Sequence, residues 1–531
     1  MQRIPVAVIG GSLVGLSAAV FLAARGVPAV VIEKHRGSSP HPRAIGYTEH
    51  TLEQFRAVGL GDRIPQVEPG LRLRRVSVES LTGAWSAESS WTPGEDAGTE
   101  PELSPCTGAA IAQDKLEPIL RERAVELGAR LMLGTELVSF HQTGEGVVLD
   151  LMERDTLRRF QVLAEYVIAA DGARSPIRER LGIAREGVGA FGTMRSVMFR
   201  CAGADAVLDR GFQQFEIDQP GFRAFLTTYH DGRWVLMFND DAERDEAELV
   251  RAIERALGQS RERMPFEIIT TGRWEMAGRI ATRYSEGRIF LAGDAAHQLP
   301  PTRGGFGANT GIDDVYTLAW KLQIVLSGRS RPALLDSHHE ERRPIGWLRH
   351  QQTFARPDYA KRIAHPPKDV ALIGNAAMEL GQLHRSAAVI GAVDELPPAA
   401  HPDTWAGQPG VRAPHAWVKQ GEATISTIDL FTCGFTLISE DAGWIEAVRA
   451  VEAVEATGSV AGIAGLTIHA VHVGHGVTFV EPGAFRDRFG VSGQGASLVR
   501  PDGIVAWRSD GPVDDRAATL IAVLRQVAAL A

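Results

Sequence analysis

The stretch Pro5-Val-Ala-Val-Ile-Gly-Gly-Ser-Leu-Val-Gly15 decides how the first half of this chain folds. Pro5 to Ile9 is a short apolar run that predicts a strand, and the glycines after it break the regular structure. An apolar helix follows from Leu16 to Arg25, Gly26 stops it, and Ala29 to Ile32 makes the next strand, ending at Glu33. The result is a βαβ unit with a dinucleotide fingerprint. Gly10 makes the tight turn, Gly15 lets helix and strand approach, and Glu33, 18 residues on, can hold both ribose hydroxyls of an adenosine. Ser12 stands where the second glycine is expected, and its small Cβ still lets a pyrophosphate approach.

Two more strands end in carboxylates. Ala164 to Ala169 runs into Ala170-Asp171-Gly172-Ala173-Arg174-Ser175, and Ile289 to Ala292 runs into Gly293-Asp294-Ala-Ala-His297. Ligands of open α/β sheets bind at such strand ends. Past Asp294, Pro300-Pro301 and the glycines Gly304, Gly305, Gly307 and Gly311 forbid regular structure, and Thr310 to Val325 reads as a helix. A helix opening out of a Gly-rich loop aims free N–H groups and its positive end at an anion, or at a ring that becomes anionic on reduction. Between these motifs, Pro42-Arg43-Ala44 gives a loop arginine near the phosphate site, and Gln113 opens a helix that runs to about Leu127.

A chain of 531 residues is long enough for two to four domains. The net charge of −9 argues against nucleic acid or an anionic membrane as main partner. Cys106, Cys201 and Cys433 form neither a CxxC pair nor a zinc spacing, so ordinary thiols in a reducing cytoplasm are expected. The amino terminus runs directly into a strand, leaving no room for a secretory signal. Ser459 to Val480 is uncharged, yet its glycines and three histidines make a poor membrane span. No metal or Ser/His/Asp constellation stands out. His297 and the pair His338-His339 read as structural.

Gly10-x-Ser12-x-x-Gly15, Asp171-Gly-x-Arg174-Ser and Gly293-Asp294-Ala-Ala-His with Pro300-Pro301 occur in one order at suitable distances. In this the chain resembles the FAD-dependent aromatic hydroxylases of the para-hydroxybenzoate hydroxylase type. Within that group it is most similar to aromatic polyketide hydroxylases such as aklavinone hydroxylase. The likeness extends through Gln113-Asp-Lys-Leu-Glu-Pro-Ile-Leu, Trp274-Glu-Met-Ala, Glu340-Glu-Arg-Arg343 and Gly495-Ala-Ser-Leu-Val-Arg-Pro-Asp-Gly-Ile-Val-Ala-Trp507. The resemblance implies an α/β fold with a Rossmann-like FAD-binding domain. An inserted β-sheet substrate domain, α+β in character, and a thioredoxin-like carboxyl-terminal domain lacking CxxC complete it. The expected boundaries are 1–180 and 275–396 for the FAD-binding domain with a helical segment, 181–274 for the substrate domain and 397–531 for the last unit.

The implied FAD contacts are Gly10, Ser12, Leu13, Val14, Gly15, Glu33, Lys34, Arg43, Gln113, Leu137, Asp171, Asp294, Pro301, Gly305, Gly307, Ala308 and Asn309. Phe225, Tyr229 and Phe238 are expected against the substrate, and Arg362, in a Tyr-Ala-x-Arg setting, is the candidate catalytic residue. The implied reaction uses FAD, NAD(P)H and O₂ to hydroxylate a polycyclic phenol or quinone through a flavin C4a-hydroperoxide, as in antibiotic biosynthesis. No second nucleotide fingerprint is visible for NAD(P)H, in keeping with a family that binds it transiently. Baeyer–Villiger or ring-cleaving oxygenation on the same cofactor motifs is an alternative reading, and a redox-silent binding protein is another. The Trp-x-Trp-x-Ile-Pro segment of flavin-dependent halogenases is absent from the sequence. A monomer or homodimer is expected, with no nucleic-acid or membrane partner.

Elsewhere the pattern predicts strands at Ser196 to Phe199, Phe222 to Thr228 and Trp234 to Phe238, and irregular β-structure from 71 to 104. It predicts helical structure from Pro344 to about Pro397. In the last unit it predicts strands at Thr424 to Leu430, Phe435 to Ser439, Thr467 to Val473 and Ser497 to Trp507, with helices near 442–456 and 514–529.

Overall fold

The computed structural model describes residues 1–41, 44–68, 74–89, 102–210, 213–301, 306–431, 434–457 and 466–530. Arg43, Gly304, Gly305 and Cys433 lie outside these residues. The Gln2–Ile9 strand sits inside a mostly parallel sheet. Across that sheet the order is Ser285–Glu286, Ile289–Leu291, Arg159–Ala169, Gln2–Ile9, Ala29–Glu33 and Arg130–Leu133. The last five pair in parallel, so their carboxyl ends share one edge. Both faces are covered, which is why these strands read as unbroken apolar runs. Val6, Val8 and Val31 share a cluster with the helices Leu13–Ala24 and Phe306–Leu326, while Ala7, Ile9 and Ile32 pack with Val147, Leu149 and Leu151.

The glycine roles read from the fingerprint have a steric basis. A Cβ on Gly15 would fall 1.8 Å from Gly10 O, and one on Gly10, at φ +105°, would fall 2.3 Å from Ala170 O. A side chain at Gly15 would drive the Leu13–Ala24 helix off the end of the Gln2–Ile9 strand, and one at Gly10 would push the turn off the end of the Arg159–Ala169 strand.

A second, mostly antiparallel sheet of eight strands has the order His297–Gln298, Glu267–Ala281, Arg185–Arg200, Arg233–Phe238, Phe222–Thr228, Gln214–Gln219, Arg75–Val78 and Trp85–Ser89. Two of its strands come from the stretch that reads only as irregular β-structure. Arg75–Val78 pairs in parallel with Gln214–Gln219, a partner 139 residues away in the register Gln214 to Arg75. One face packs on the helix Glu246–Leu257 through Phe199, Phe215, Trp234, Phe238, Ile253 and Leu257. That helix carries a complete capping box between Asp245 and Glu248.

The helical expectation for 344–397 holds only in part. One helix spans Ser337–Ala355, and after it come only the short turns Pro357–Ala360 and Asn375–Leu380. Pro366-Pro367, Gly374 and Gly381 break the rest, and a Cβ at Gly381 would meet Ala400 O at 1.8 Å. Beyond this segment a four-stranded sheet has the order Ile468–His472, Phe435–Ser439, Ala496–Val499 and Val505–Ser509. The expected strand 497–507 thus splits in two around a turn at Pro501-Asp-Gly503. The expected strand 424–430 is Ala423–Ser426 followed by a 3₁₀ turn capped by Ser426 and Asp429.

This last unit shares a core with the first. Trp320 stacks edge-on to Phe435, 5.6 Å between ring centroids, within one cluster containing residues from both halves of the chain. Beside that core runs a buried ionic seam. Arg500 donates to Glu341 at 2.6 and 3.1 Å and to Asp502 at 3.0 and 2.6 Å. Lys321 Nζ lies 2.8 Å from the same Glu341, and all four side chains are fully buried. Arg412 reaches across to Glu53, with Nε 2.8 Å from Oε2.

Candidate active site

Between the two sheets opens a cavity of about 2100 Å³. At one end Ser12, Leu13, Val14, Ala170, Gly172, Ala292 and Asp294 line it, all at the carboxyl edge of the parallel sheet. At the other end the wall is the open face of the second sheet, including Phe225, Thr227, Tyr229, Met237, Asn239 and Trp274. Residues Pro300, Pro301, Phe306, Gly307 and Ala308 border the space between, and Tyr359 and Arg362 close it from the short turn after Ala355.

The strand-end groups are held in place locally. Ser12 caps the Leu13–Ala24 helix without any side-chain bond to its first amides, so those N–H groups stay available to an anion. Glu33 Oε2 accepts from Gly11 N at 2.6 Å and Oε1 from His35 N at 2.7 Å, which fixes the carboxylate at the end of its strand. Asp171 Oδ2 accepts from Ile177 N at 3.2 Å, while Oδ1 is buried without a partner, and burial pushes this carboxyl up. The Gly293 turn is set from below: Asp314 Oδ2 accepts from Gly293 N at 3.1 Å and from the His297 ring at 2.6 Å, and Arg342 Nε donates to Asp314 Oδ1 at 2.8 Å. His297 therefore acts as a buried strut. His338 does too, donating through Nε2 to Leu291 O at 3.0 Å, with burial lowering its pKa to about 4.

Free amides at a helix start, a glycine cradle and the strand-end carboxylate of Asp294 on the cavity wall fit the pyrophosphate and polyhydroxyl chain of a flavin dinucleotide. Among the described residues no group of three or more His, Cys, Asp and Glu could hold a metal ion, and no helix is long and apolar enough to cross a membrane. Cys106 and Cys201 are buried, and burial pushes the Cys106 thiol up to about 12.

Of the residues singled out in the sequence, Ser12, Leu13, Val14, Gln113, Asp294, Pro301, Gly307, Ala308, Phe225, Tyr229 and Arg362 line the cavity together. Gly10, Gly15, Glu33 and Asp171 do not line it themselves, though Asp171 lies between the lining residues Ala170 and Gly172 and Glu33 bonds to Gly11, next to Ser12. Lys34 is exposed and Leu137 packs on the far side of the sheet, and neither reaches the cavity. The Asn309 side chain is buried, accepting from Thr48 N at 3.1 Å and Thr51 Oγ1 at 2.7 Å, so it ties the Phe306–Leu326 helix to the start of the Glu49–Arg56 helix. Phe238 is a correction. It points to the opposite face, packed under Arg244 at 4.0 Å, and its neighbours Met237 and Asn239 face the cavity instead. Strand side chains alternate faces, and sequence alone does not say which set points inward. Alternation does put Met237 and Asn239 on the face opposite Phe238, and in the structure Met237 is the cross-strand neighbour of Phe225.

Arg362 stacks on Phe191 at 5.5 Å and Tyr359 at 6.0 Å, and its Nη2 is 3.4 Å from Asn239 Oδ1. Tyr359 donates to Pro301 O, and burial raises its phenol to about 12. Arg75, which sequence reasoning missed, lies over Phe225 at 4.9 Å with Glu216 at 3.2 Å.

Comparison with known proteins agrees with this geometry. An FAD binding domain family matches residues 3–353, and the family described as aromatic-ring hydroxylase, C-terminal, matches 406–530. The chain is 36% identical to tetracenomycin A2 monooxygenase-dioxygenase of Streptomyces glaucescens over 99% of its own length and 97% of the relative's. It is 38% identical to 4-methyl-5-nitrocatechol 5-monooxygenase of a Burkholderia species, with 99% and 97% covered. The structure of aklavinone-11 hydroxylase with FAD and aklavinone superposes with a TM-score of 0.88 at 36% identity, covering 100% of this chain and 99% of that one. The chain belongs to the FAD-dependent aromatic-ring hydroxylases, monooxygenases that include the polyketide hydroxylases.

Proposed function

We propose that this protein hydroxylates a polycyclic phenol or quinone with FAD, NAD(P)H and O₂. The observation that carries the reading is one continuous cavity joining the strand-end cradle to the aromatic wall at Phe225, Tyr229, Met237 and Trp274. Its volume of about 2100 Å³ leaves room for a fused-ring substrate beside a cofactor. FAD, once reduced by NAD(P)H, would supply activation of O₂ and delivery of one oxygen atom to an aromatic carbon.

The chain's own contribution is placement and charge. Asp294 and Gln113 would hold the polyhydroxyl chain of the cofactor, and the first amides of Leu13–Ala24 would receive its pyrophosphate. The start of Phe306–Leu326, whose Phe306, Gly307 and Ala308 line the cavity, would favour negative charge on a bound ring system. Arg362, held by Phe191, Tyr359 and Asn239, stabilises a phenolate on the substrate, which raises electron density on the ring to be attacked. Apolar walls of Met194, Met237 and Trp274 exclude water.

The strand order of the last sheet, with Phe435–Ser439 parallel to Ile468–His472 and antiparallel to Ala496–Val499, supports a thioredoxin-like reading of 397–531 in a packing role. The relative named a monooxygenase-dioxygenase supports a second reading, in which more than one oxygen atom enters the product. The test is NAD(P)H oxidation by the FAD-loaded protein against a panel of polycyclic phenols and quinones under ¹⁸O₂, followed by product mass. One labelled oxygen on an intact skeleton is expected. Two labelled oxygens favour the second reading, and substrate-independent oxidation with no labelled product refutes both.

A further inference from the structure

Glu117 makes no contact with the cavity, yet it organises two residues that line it. Its side chain is 2% exposed, on the second turn of the Gln113–Glu126 helix. Oε1 accepts from Ser12 Oγ at 2.7 Å and from Gln113 Nε2 at 2.8 Å, and Gln113 Nε2 also donates to Ser12 Oγ at 2.9 Å. The remaining oxygen of Glu117 faces Arg121 Nη1 at 3.8 Å. The three side chains form a closed triangle beneath the Gly-rich turn.

Ser12 occupies the second-glycine position of the fingerprint, where a pyrophosphate passes close to the backbone and the direction of a side chain beyond Cβ matters. Its backbone, at φ −96°, is one that any residue adopts, so the conformation does not call for glycine; only the side chain's direction matters. A serine hydroxyl at the start of a helix ordinarily turns to cap the first amides. Here it makes no such bond. Its proton is committed to Glu117 and its lone pair to Gln113. That commitment keeps the hydroxymethyl group away from the amides the phosphate needs.

We infer that Glu117 is a positioning residue for FAD: it holds Ser12 in the one rotamer compatible with pyrophosphate at the Gly-rich turn, and orients Gln113 with the same oxygen. The pair replaces by hydrogen bonding what a second glycine achieves by having no side chain.

The test is a double-mutant cycle on FAD affinity, read by titrating apoprotein with FAD and following flavin fluorescence. Glu117→Met weakens FAD binding about tenfold, the loss of a charge-assisted hydrogen bond. Glu117→Gln, which keeps an acceptor, weakens it about threefold at most. In the Ser12→Gly background both substitutions cost less than in the parent, because no rotamer remains to be held and only the orientation of Gln113 is still lost. Ser12→Gly alone binds FAD at least as tightly as the parent. Melting temperatures of the apoproteins separate this coupling from a general loss of structure. If Glu117→Met does not fold, the Glu117→Gln pair carries the cycle. An equal cost in both backgrounds overturns the inference. So does tighter FAD binding by Glu117→Gln, which would mean that repulsion between two anions dominates at this position.

Discussion

Replacing Arg500 by Met tests whether the carboxyl-terminal unit is joined to the flavin domain by a buried charge network. The guanidinium makes four hydrogen bonds, two to Glu341 and two to Asp502, and lies over the Trp320 ring at 5.3 Å. Methionine keeps much of the stem volume and removes the charge. Glu341 then retains Lys321 at 2.8 Å and Ser386 at 2.6 Å, and Asp502 retains only the Trp320 indole at 2.8 Å among these groups. The seam passes from two cations and two carboxylates to one cation and two carboxylates, all out of reach of water. Removing one partner of such a pair costs about 3–5 kcal/mol, since a buried charge is left uncompensated. An unfolding entropy of about 2.1 cal/mol/K per residue makes this a drop of about 3–5 °C in Tm for a chain of 531 residues. Arg223→Met is the control. Its bond to Asp218 is just as short, at 2.9 Å, but its side chain is 81% exposed, so its loss costs about 0–1 kcal/mol. Differential scanning fluorimetry and urea titration of the two variants against the parent give the comparison. Equal, small shifts would refute the claim that burial gives this seam its weight.

Asp294→Ala is expected to fold but to lose FAD, about ten- to hundredfold in affinity, through loss of one or two charge-assisted hydrogen bonds; retention of stoichiometric flavin after dialysis would contradict the assignment. Phe238→Ala should destabilise by about 3–5 kcal/mol with KM unchanged, because the ring is in the core behind the sheet, whereas Met237→Ala should raise KM for the aromatic substrate at a smaller cost in stability; steady-state kinetics with melting curves distinguish the two. Burial opposes charge on His50, but hydrogen bonds to Asp313 and Glu53 prevail and raise its pKa to about 9. Its contribution is therefore complete below the unfolded value of about 6.5 and is lost as pH rises through about 9, up to about 3 kcal/mol. Tm measured from pH 6 to 10 should fall more steeply in the parent than in His50→Gln, and parallel curves would show that His50 is not the titrating group.

Much of this protein was legible in the chain alone, for a local reason. The turns at Gly10 and Gly293 rest on backbone conformations that only glycine adopts easily, and Glu33 on its place at a strand end, with Gly11 N and Asp314 completing them from about twenty residues away. Their order is enough to give the nucleotide fold and the edge of the sheet where the cofactor belongs. What tertiary structure alone decided involves partners far apart in sequence. Period-two alternation on Arg233–Phe238 is the same whichever face is inward, so only packing on Glu246–Leu257 places Phe238 in the core and Met237 at the cavity. Arg75–Val78 is too short and too polar to reveal its sheet until Gln214–Gln219 pairs with it. Ser12 reads as a mild defect of a fingerprint until Glu117, 105 residues later, is found bonded to it. Arg412 and Glu53 are separated by 359 residues, and Trp320 and Asp502 by 182. A hydrogen bond or ion pair across such distances leaves no periodic trace, because its partners are brought together only when the surrounding core has formed.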